Sequence, residues 1–347
     1  MEQEVETAAR PATGSLPVWD ATHRRLRIQV FGAGGAAGRE LVAALLAAGH
    51  PPGGLSLYGR RGRSLPWRNG VLRISPVPSE LAFAELAFLC TPPAVAARLA
   101  PILVARGTRV IDFSGTGGGR RDVPIVAPGI RSGELGAFTV HVGLPTRSAA
   151  VAIRPLWALE RAVGLEEIVG TVLYSCAAEG ALGILERREE LAALERGEEE
   201  PHPHLGRIGN VLSLVGGPRA DGRSGAEAEL ARDLGALLRR ADLSIALTGL
   251  LGDVERVDVF AFSLRTRHPL EAVQAAEILA AAPGVVVQEE LGGPSAREAA
   301  GSDLVHVGRI RAGSRGAASL CFVAVGDELR LGVANAGLWT ASLLPLG

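Results

Sequence analysis

The run Leu86-Ala87-Phe88-Leu89-Cys90 is apolar at every position, whereas Val254 to Leu264 is long and alternates apolar with polar residues. An unbroken apolar run suits a parallel strand covered on both faces. Alternation suits a strand with one face in a core and the other turned outward. These two textures divide the chain. From Leu26 onward the pattern predicts strands at 26–31, 55–58, 86–90 and 109–113, with helices at 37–49 and 93–106 between some of them. Right-handed crossovers between such units give a doubly wound α/β nucleotide domain. After about residue 140 a helix at 147–163 precedes the strand Ile168 to Tyr174. A charged helix then runs to Glu198-Glu199-Glu200-Pro201, and a loop with Pro218, Asp221 and Gly222 leads to a helix at about 225–240. Leu243 to Leu247, Val254 to Leu264, Gly284 to Gln288 and 319–325 read as strands, and the last helix spans about 332–345. This mixture predicts an α+β domain with a substantial sheet. Residues 1–24 are polar, contain Pro11 and Pro17 and show no periodicity, so they read as a disordered tail. The expected division is tail, 25–140, 141–325 and a C-terminal segment 326–347.

Between the first strand and first helix lies Gly32-Ala33-Gly34-Gly35-Ala36-Ala37-Gly38. Strand, glycine turn and helix in that order form the phosphate cradle of a Rossmann-type domain. Gly32 permits the tight turn, Gly34 admits a pyrophosphate close to the backbone, and Gly38 lets the helix pack on the strand. The plainer reading is an ordinary strand-to-helix turn in a Gly- and Ala-rich protein. The second strand ends in Tyr58-Gly59-Arg60-Arg61-Gly62-Arg63. An NAD site places Asp or Glu there for the ribose diol, and arginines suit a 2′-phosphate. Arg60 and Arg61 are therefore candidates for selecting NADP; the competing reading is surface arginines in an arginine-rich protein.

Composition narrows the class. At 347 residues, 47% hydrophobic and 21% charged, the chain is long enough for two domains with their own cores. A formal charge of −1 leaves no electrostatic footprint for nucleic acid or an acidic membrane, and no apolar run reaches bilayer length. The acidic start Met1 to Glu6 is unlike a signal peptide, so a cytoplasmic location is expected. Cys90, Cys176 and Cys321 are widely spaced in apolar segments, which argues against a disulfide framework or a zinc cluster. The chain contains no lysine, so Schiff-base chemistry and lysine bases are excluded.

Several stretches resemble the aspartate-semialdehyde dehydrogenase family and its acyl-phosphate reductase relatives. They are the glycine turn, Val110-Ile111-Asp112-Phe113-Ser114, Asp122 to Pro128, Ala282 to Val287, Val307-Gly308-Arg309-Ile310-Arg311, and the ending Val333-Ala334-Asn335-Ala336. The resemblance spans about 26–345. It implies an NADP-binding Rossmann domain joined to an α+β domain that dimerises through its sheet. A C-terminal helix returns to the first domain, and Asn335 helps to hold the cofactor. It also implies NADPH-dependent reductive dephosphorylation of aspartyl phosphate. In that reaction a cysteine thiolate attacks the acyl phosphate, a histidine serves as acid and base, and arginines hold phosphate and carboxylate.

Measured against that family pattern, the chain departs at each catalytic position. The segment matching the nucleophile turn, His141-Val142-Gly143-Leu144-Pro145-Thr146-Arg147-Ser148, contains no cysteine, leaving Thr146 or Ser148 as poor hydroxyl substitutes. Asp253 stands where the histidine is expected, Ala246 where the carboxylate arginine is, and Gly118 where the phosphate arginine is, with Arg120 and Arg121 nearby as substitutes. Cys176 falls near the family's active-site glutamine, either a relocated nucleophile or a semi-buried apolar residue, while Cys90 and Cys321 read as core cysteines. Glu227 matches a substrate-domain acidic residue, or is a solvated helix residue. His202 and His204 offer a metal pair without a third ligand, so no metal is expected, and Glu186 to Glu200 reads as a solvated charged face. Three readings follow: a catalytically silent NADP-binding paralogue, an active oxidoreductase using Cys176 or another nucleophile, and a structural or regulatory subunit. The expected partners are a nicotinamide nucleotide and a second chain, forming either a homodimer or a heterodimer with a paralogue.

Overall fold

The computed structural model describes residues 19–60, 64–68, 70–115, 123–198, 211–212, 215–289, 292–314 and 316–344. The first half is built from β1 (Ile28–Phe31), α1 (Ala36–Ala47), β2 (Leu55–Tyr58), a hairpin of β3 (Ser64–Trp67) and β4 (Gly70–Arg73), β5 (Leu86–Leu89), α2 (Pro93–Ala105), β6 (Arg109–Asp112) and β7 (His141–Gly143). β1, β2, β5, β6 and β7 form one parallel sheet in the order β2-β1-β5-β6-β7. Every residue of β1 and β5 is buried, as the unbroken apolar runs require. One face packs Ile28, Val30 and Phe88 against Leu41 and Leu45 of α1; the other packs Phe31, Ala87 and Leu89 against Ala96 and Leu103 of α2. Gln29, polar inside this core, donates its side-chain amide to the Ala82 carbonyl at 2.8 Å.

The second half comprises α3 (Arg147–Val163), β8 (Leu165–Tyr174), α4 (Gly180–Glu195), α5 (Gly225–Leu238), β9 (Ser244–Leu251), β10 (Val257–Thr266), α6 (Ala272–Ala280), β11 (Val285–Gln288), α7 (Ala296–Ala299), β12 (Val305–Gly313), β13 (Gly316–Asp327), a π-helical segment Arg330–Asn335 and α8 (Ala336–Leu343). Its sheet is mixed, in the order β11-β12-β13-β10-β8-β9. Phe260, Phe262, Leu264 and Phe322 project from it onto Ile153 and Leu156 of α3 and Leu234 of α5. Thr171, Thr248, Ala261 and Ser263 stand on the opposite, open face. The chain then recrosses: Val333, Ala336 and Leu338 enter the core of the first sheet.

Several sequence expectations shift. The 1–24 tail is packed from Trp19, which is 6% exposed against the first core, while residues 1–18 lie outside the described residues. The first sheet takes its fifth strand from His141–Gly143, beyond the expected boundary at 140. β10 begins at Val257 because the Val254 and Glu255 carbonyls instead accept from the Cys176 and Ala177 N–H groups. α4 is not a solvated charged face. Glu186 and Glu190 are buried, whereas Leu182 and Leu194 are more than 60% exposed. Cys321 is no core residue; it lies half-buried beside Ser263, with its Sγ 3.6 Å from Ser263 Oγ.

Asp327, at the end of β13, is fully buried. Its Oδ2 accepts from Arg256 Nε at 2.6 Å and the Gly301 N–H at 2.7 Å, and its Oδ1 from the Leu329 and Arg330 N–H groups at 3.0 and 2.9 Å. Arg256 also pairs with Glu40 of α1 at 3.0 Å, so this carboxylate joins the two halves. Replacing one member of such a buried, fully bonded pair strands the other groups. Asp327→Ala should therefore cost about 3 kcal/mol or more in unfolding free energy. Denaturant titration of the variant against wild type checks this, and a loss indistinguishable from that of a surface substitution would contradict it.

Candidate functional site

The glycine turn has the geometry of a phosphate cradle. Gly32 has φ +81°, and a Cβ there would collide with the Cys90 carbonyl at the end of β5. A Cβ at Gly38 would run into the backbone of Gly32 and lie 2.6 Å from Ala33 Cα. Only glycine fits at either place. Gly35 is the residue before α1; it donates to the Gly32 carbonyl at 3.0 Å, and no side chain caps the helix, so the first-turn N–H groups of Ala36, Ala37 and Gly38 face the end of the turn. The Gly34 carbonyl accepts from Arg39 Nε at 3.0 Å, which fixes the loop from behind. Arg60 is exposed one residue past Gly59, whose Cα side approaches Gly34. Arg61 lies outside the described residues, as do Arg120 and Arg121, the pair His202 and His204, and Gly118.

Beside the cradle, from Thr91 onward, a cleft of about 860 Å³ opens between the halves. Its walls come from Thr91-Pro92-Pro93 after β5, Phe113-Ser114-Gly115 after β6, the start of α3, the start of α4 and the start of α5. This is the carboxyl edge of the parallel sheet, where doubly wound folds bind ligands. Among its described lining residues there is neither cysteine nor histidine.

Two family models match the chain: the NAD binding domain of semialdehyde dehydrogenase over residues 27–137, and the dimerisation domain of semialdehyde dehydrogenase over 252–331. The aspartate-semialdehyde dehydrogenase of Legionella pneumophila is 26% identical over 337 residues, covering 92% of this chain and 96% of that protein. The chain belongs to the semialdehyde dehydrogenase family. Its fold superposes on the crystal structure of aspartate semialdehyde dehydrogenase II complexed with ASA from Vibrio cholerae with a TM-score of 0.84, at 23% identity, covering 92% of this chain and 97% of that one. The aspartate semialdehyde dehydrogenase with NADP from Candida albicans superposes with a TM-score of 0.67 at 17% identity, covering 91% and 97%.

Within this semialdehyde dehydrogenase fold the candidate residues scatter. Cys176 is fully buried, its Sγ 3.5 Å from the Gly252 carbonyl oxygen, and it does not reach the cleft. Asp253 is held by Arg187 of α4 at 2.7 Å. Ala246 lies on the open face of the second sheet. Glu227 completes a capping box with Ser224 at the start of α5 and accepts from the Gly249 N–H at 2.7 Å, so its carboxylate is occupied in joining α5 to β9. Asn335 donates to Asp303 at 3.1 Å and steadies the π-helical segment. Cys90 sits half-buried beside Thr91, and burial, reinforced by the Asp112 charge, pushes its thiol far above the ordinary range, away from a reactive thiolate. Of the proposed catalytic and substrate residues, Thr146 and Ser148 line the cleft. The Thr146 N–H donates to the buried Asp233 at 2.7 Å, and Arg232 links Asp233 Oδ1 to the Gly115 carbonyl.

What sequence reasoning missed is the cleft floor. Arg147 and Ser148 in the first turn of α3 meet Tyr174, Ser175, Asp258 and Glu328. Ser175 donates its N–H to Asp258 Oδ1 at 2.9 Å and its hydroxyl to Glu328 Oε1 at 3.0 Å. Arg147 Nε lies 3.4 Å from Glu328 Oε2, and its Nη2 donates to the Ala177 carbonyl at 2.9 Å. Two signals for this cluster lay in the sequence: Asp258 enters an otherwise apolar strand start, and Asp327-Glu328 abruptly ends the apolar run of β13.

Burial, followed by the Glu328 charge, raises the Asp258 carboxyl well above the usual carboxylate range, against hydrogen bonds from Ser148 and the Ser175 N–H. Burial also raises Glu328, against the Arg147 charge. A group raised in the folded state contributes its stability fully below its unfolded value, about pH 4, and loses that contribution as the pH rises through the folded value. Asp258→Asn keeps the shape and removes the titration. Its melting temperature relative to wild type should therefore rise between about pH 4 and about pH 8 and level off above that. Thermal melts across that range check the sign, and a flat difference would show that Asp258 is charged throughout.

Proposed function

We propose that the protein binds NADP at the Gly32–Gly38 turn and does not carry out the reductive dephosphorylation of aspartyl phosphate. The observation that carries this reading is the cleft lining, which among the described residues contains neither a thiol nor an imidazole. Supporting it, Cys176 is sealed against the Gly252 carbonyl and Asp253 is bound to Arg187. A hydroxyl such as that of Thr146 would form an ester, a poorer hydride acceptor than a thioester. The cradle is nevertheless intact, with glycine at both positions where a Cβ collides. The Ala36–Gly38 N–H groups would hold the pyrophosphate and Arg60 the 2′-phosphate. When bound, the nicotinamide supplies a hydride donor or acceptor at the cleft.

Calorimetry should give tighter binding of NADP than of NAD. Arg60→Ala should weaken NADP about tenfold or more while leaving NAD unchanged. NADPH oxidation should be absent with aspartyl phosphate as substrate. The active alternative predicts turnover that disappears in Cys176→Ala, and that result would overturn the silent reading.

The open sheet face, with Val169, Thr171, Thr248 and Ala261, is the proposed dimer surface, and the exposed leucines of α4 favour a second protein contact as part of a structural role. Sedimentation should give a dimer that Thr171→Arg splits into monomers. Three thiols without a disulfide fit a cytoplasmic setting.

A further inference from the structure

Two hydroxyls in the cleft have no partner, one from each half of the molecule. Tyr174 is 2% exposed, lines the cleft, and its hydroxyl makes no hydrogen bond. Thr91 lines the cleft from the other half, and its hydroxyl oxygen is also buried and unmatched. An unpaired buried hydroxyl is costly and is ordinarily matched by a ligand or water. Glu328 shares the floor with Tyr174, with Oε1 taken by the Ser175 hydroxyl and Oε2 approached by Arg147 at 3.4 Å. Burial raises both Glu328 and Asp258 toward their neutral forms.

Four helices begin at this cleft, and the free N–H groups of such ends ordinarily hold an anion. Here each end is blunted. α2 opens with Pro92 and Pro93, which have no N–H. In α5 the Gly225 and Ala226 N–H groups donate to the Gly217 and Val215 carbonyls, and that of Glu227 to the Ser224 hydroxyl. A 3-10 turn at Cys176–Glu179 runs directly into α4, and the Gly180 N–H donates to the Ala177 carbonyl. At the start of α3, Thr146, Arg147 and Ser148 already meet the carboxyl groups of Asp233, Glu328 and Asp258. The walls are apolar: Pro92 and Pro93 are exposed along them with Phe113, and Leu182 is 62% exposed. An apolar cleft with a few placed hydrogen-bonding groups suits a flat, uncharged ligand.

We propose that the cleft binds an uncharged aromatic compound whose polar substituent both donates and accepts hydrogen bonds, a carboxamide being the simplest, with the ring against the apolar walls and the substituent at Tyr174 and Glu328. The carboxamide oxygen accepts from the Tyr174 hydroxyl, and its NH₂ donates to Glu328 Oε2. Thr91 supplies a further hydroxyl from the other half. A carboxylate of the same shape has no N–H for Glu328, and an amidinium has no acceptor for the Tyr174 proton. Either ion would also give up its hydration to groups that are near neutral. The proposal rests on the reading that this cleft does not process aspartyl phosphate, and it names the class of ligand taken there.

The test uses the full chain, without nucleotide and then saturated with NADP, and three probes of one shape: benzamide, benzoate and benzamidinium. Benzamide should bind by calorimetry and raise the melting temperature in both states, and the two ions should bind about tenfold more weakly or not at all. Tyr174→Phe should weaken benzamide about tenfold or more, and Thr91→Val about threefold or more. Glu195→Gln, on the exposed side of α4, should leave its affinity unchanged. Each hydroxyl variant removes one polar group at nearly constant shape, so either decides if the other fails to fold. The arm without nucleotide decides even if NADP does not bind. Equal or tighter binding of either ion, binding of none of the three probes, displacement of benzamide by NADP, or unchanged benzamide affinity in a folded Tyr174→Phe or Thr91→Val would each overturn the proposal. Turnover of aspartyl phosphate with NADPH would instead overturn the silent reading on which it rests, whatever benzamide does.

Discussion

The Asp327 carboxylate is the point through which the two halves of the molecule are held in register. It is fully buried, yet each oxygen accepts two hydrogen bonds: a guanidinium and a loop N–H on one side, the first turns of the returning chain on the other. A buried charge is tolerable only when satisfied to this degree. Its position is what matters. On one side Arg256 carries the link to Glu40, in the first turns of the helix that the phosphate cradle opens. On the other, the next residue, Glu328, is delivered to the cleft floor. Arg330 continues the chain of pairs to Asp303 at 2.6 Å, and Asp303 holds Asn335. The cradle helix, the cleft floor and the returning C-terminal helix are therefore oriented by one connected set of charges.

That arrangement separates what the backbone dictates from what the side chains of the second half dictate. The glycine turn depends on backbone: Gly32 and Gly38 are required by collisions with the Cys90 carbonyl and with the turn itself, whatever the neighbouring half contains. The candidate residues Asp253, Glu227 and Cys176 come from the second half, and each has a structural partner there. Asp253 is bound to Arg187, Glu227 to the Gly249 N–H, and Cys176 to the Gly252 carbonyl. These contacts knit α4, α5 and β9 together.

The fold was largely legible because its signals are local and periodic. The buried strands of the first sheet, the alternation in β10, and the amphipathic α3 and α5 each follow from spacing along the chain. The misses have physical causes. The β3–β4 hairpin includes Pro66 and exposed positions, so no apolar period marks it. α6 is short and begins with a capping box using Glu271 in place of the usual hydroxyl. β12 was noticed as a motif but not as a strand, because its register breaks between Gly308 and Arg311. In α4 the expected polarity is inverted, since Arg187 and Arg188 are drawn to Asp253 and Glu255, which turns leucines outward.

The candidate site was legible only in part, and the reason lies in sequence separation. The cradle is contiguous, so its glycines could be read directly. The cleft floor gathers Arg147, Ser148, Tyr174, Ser175, Asp258 and Glu328 from four elements up to 181 residues apart, and no spacing rule links them. Each looked unremarkable alone: an arginine and a serine opening a helix, a tyrosine ending a strand, an acid starting one and another ending one. Only the topology supplies their meaning. β8 lies beside β10 and β10 beside β13, which carries Ser175, Asp258 and Glu328 to one end of the sheet under the first turn of α3. Burial at that point raises both carboxyl groups above their ordinary range. The absence of a thiol from the described cleft lining therefore does not leave an inert surface. It leaves buried carboxyl groups and hydroxyls, Asp258, Glu328, Tyr174 and Ser175, gathered beside the glycine turn at the carboxyl edge of the first sheet.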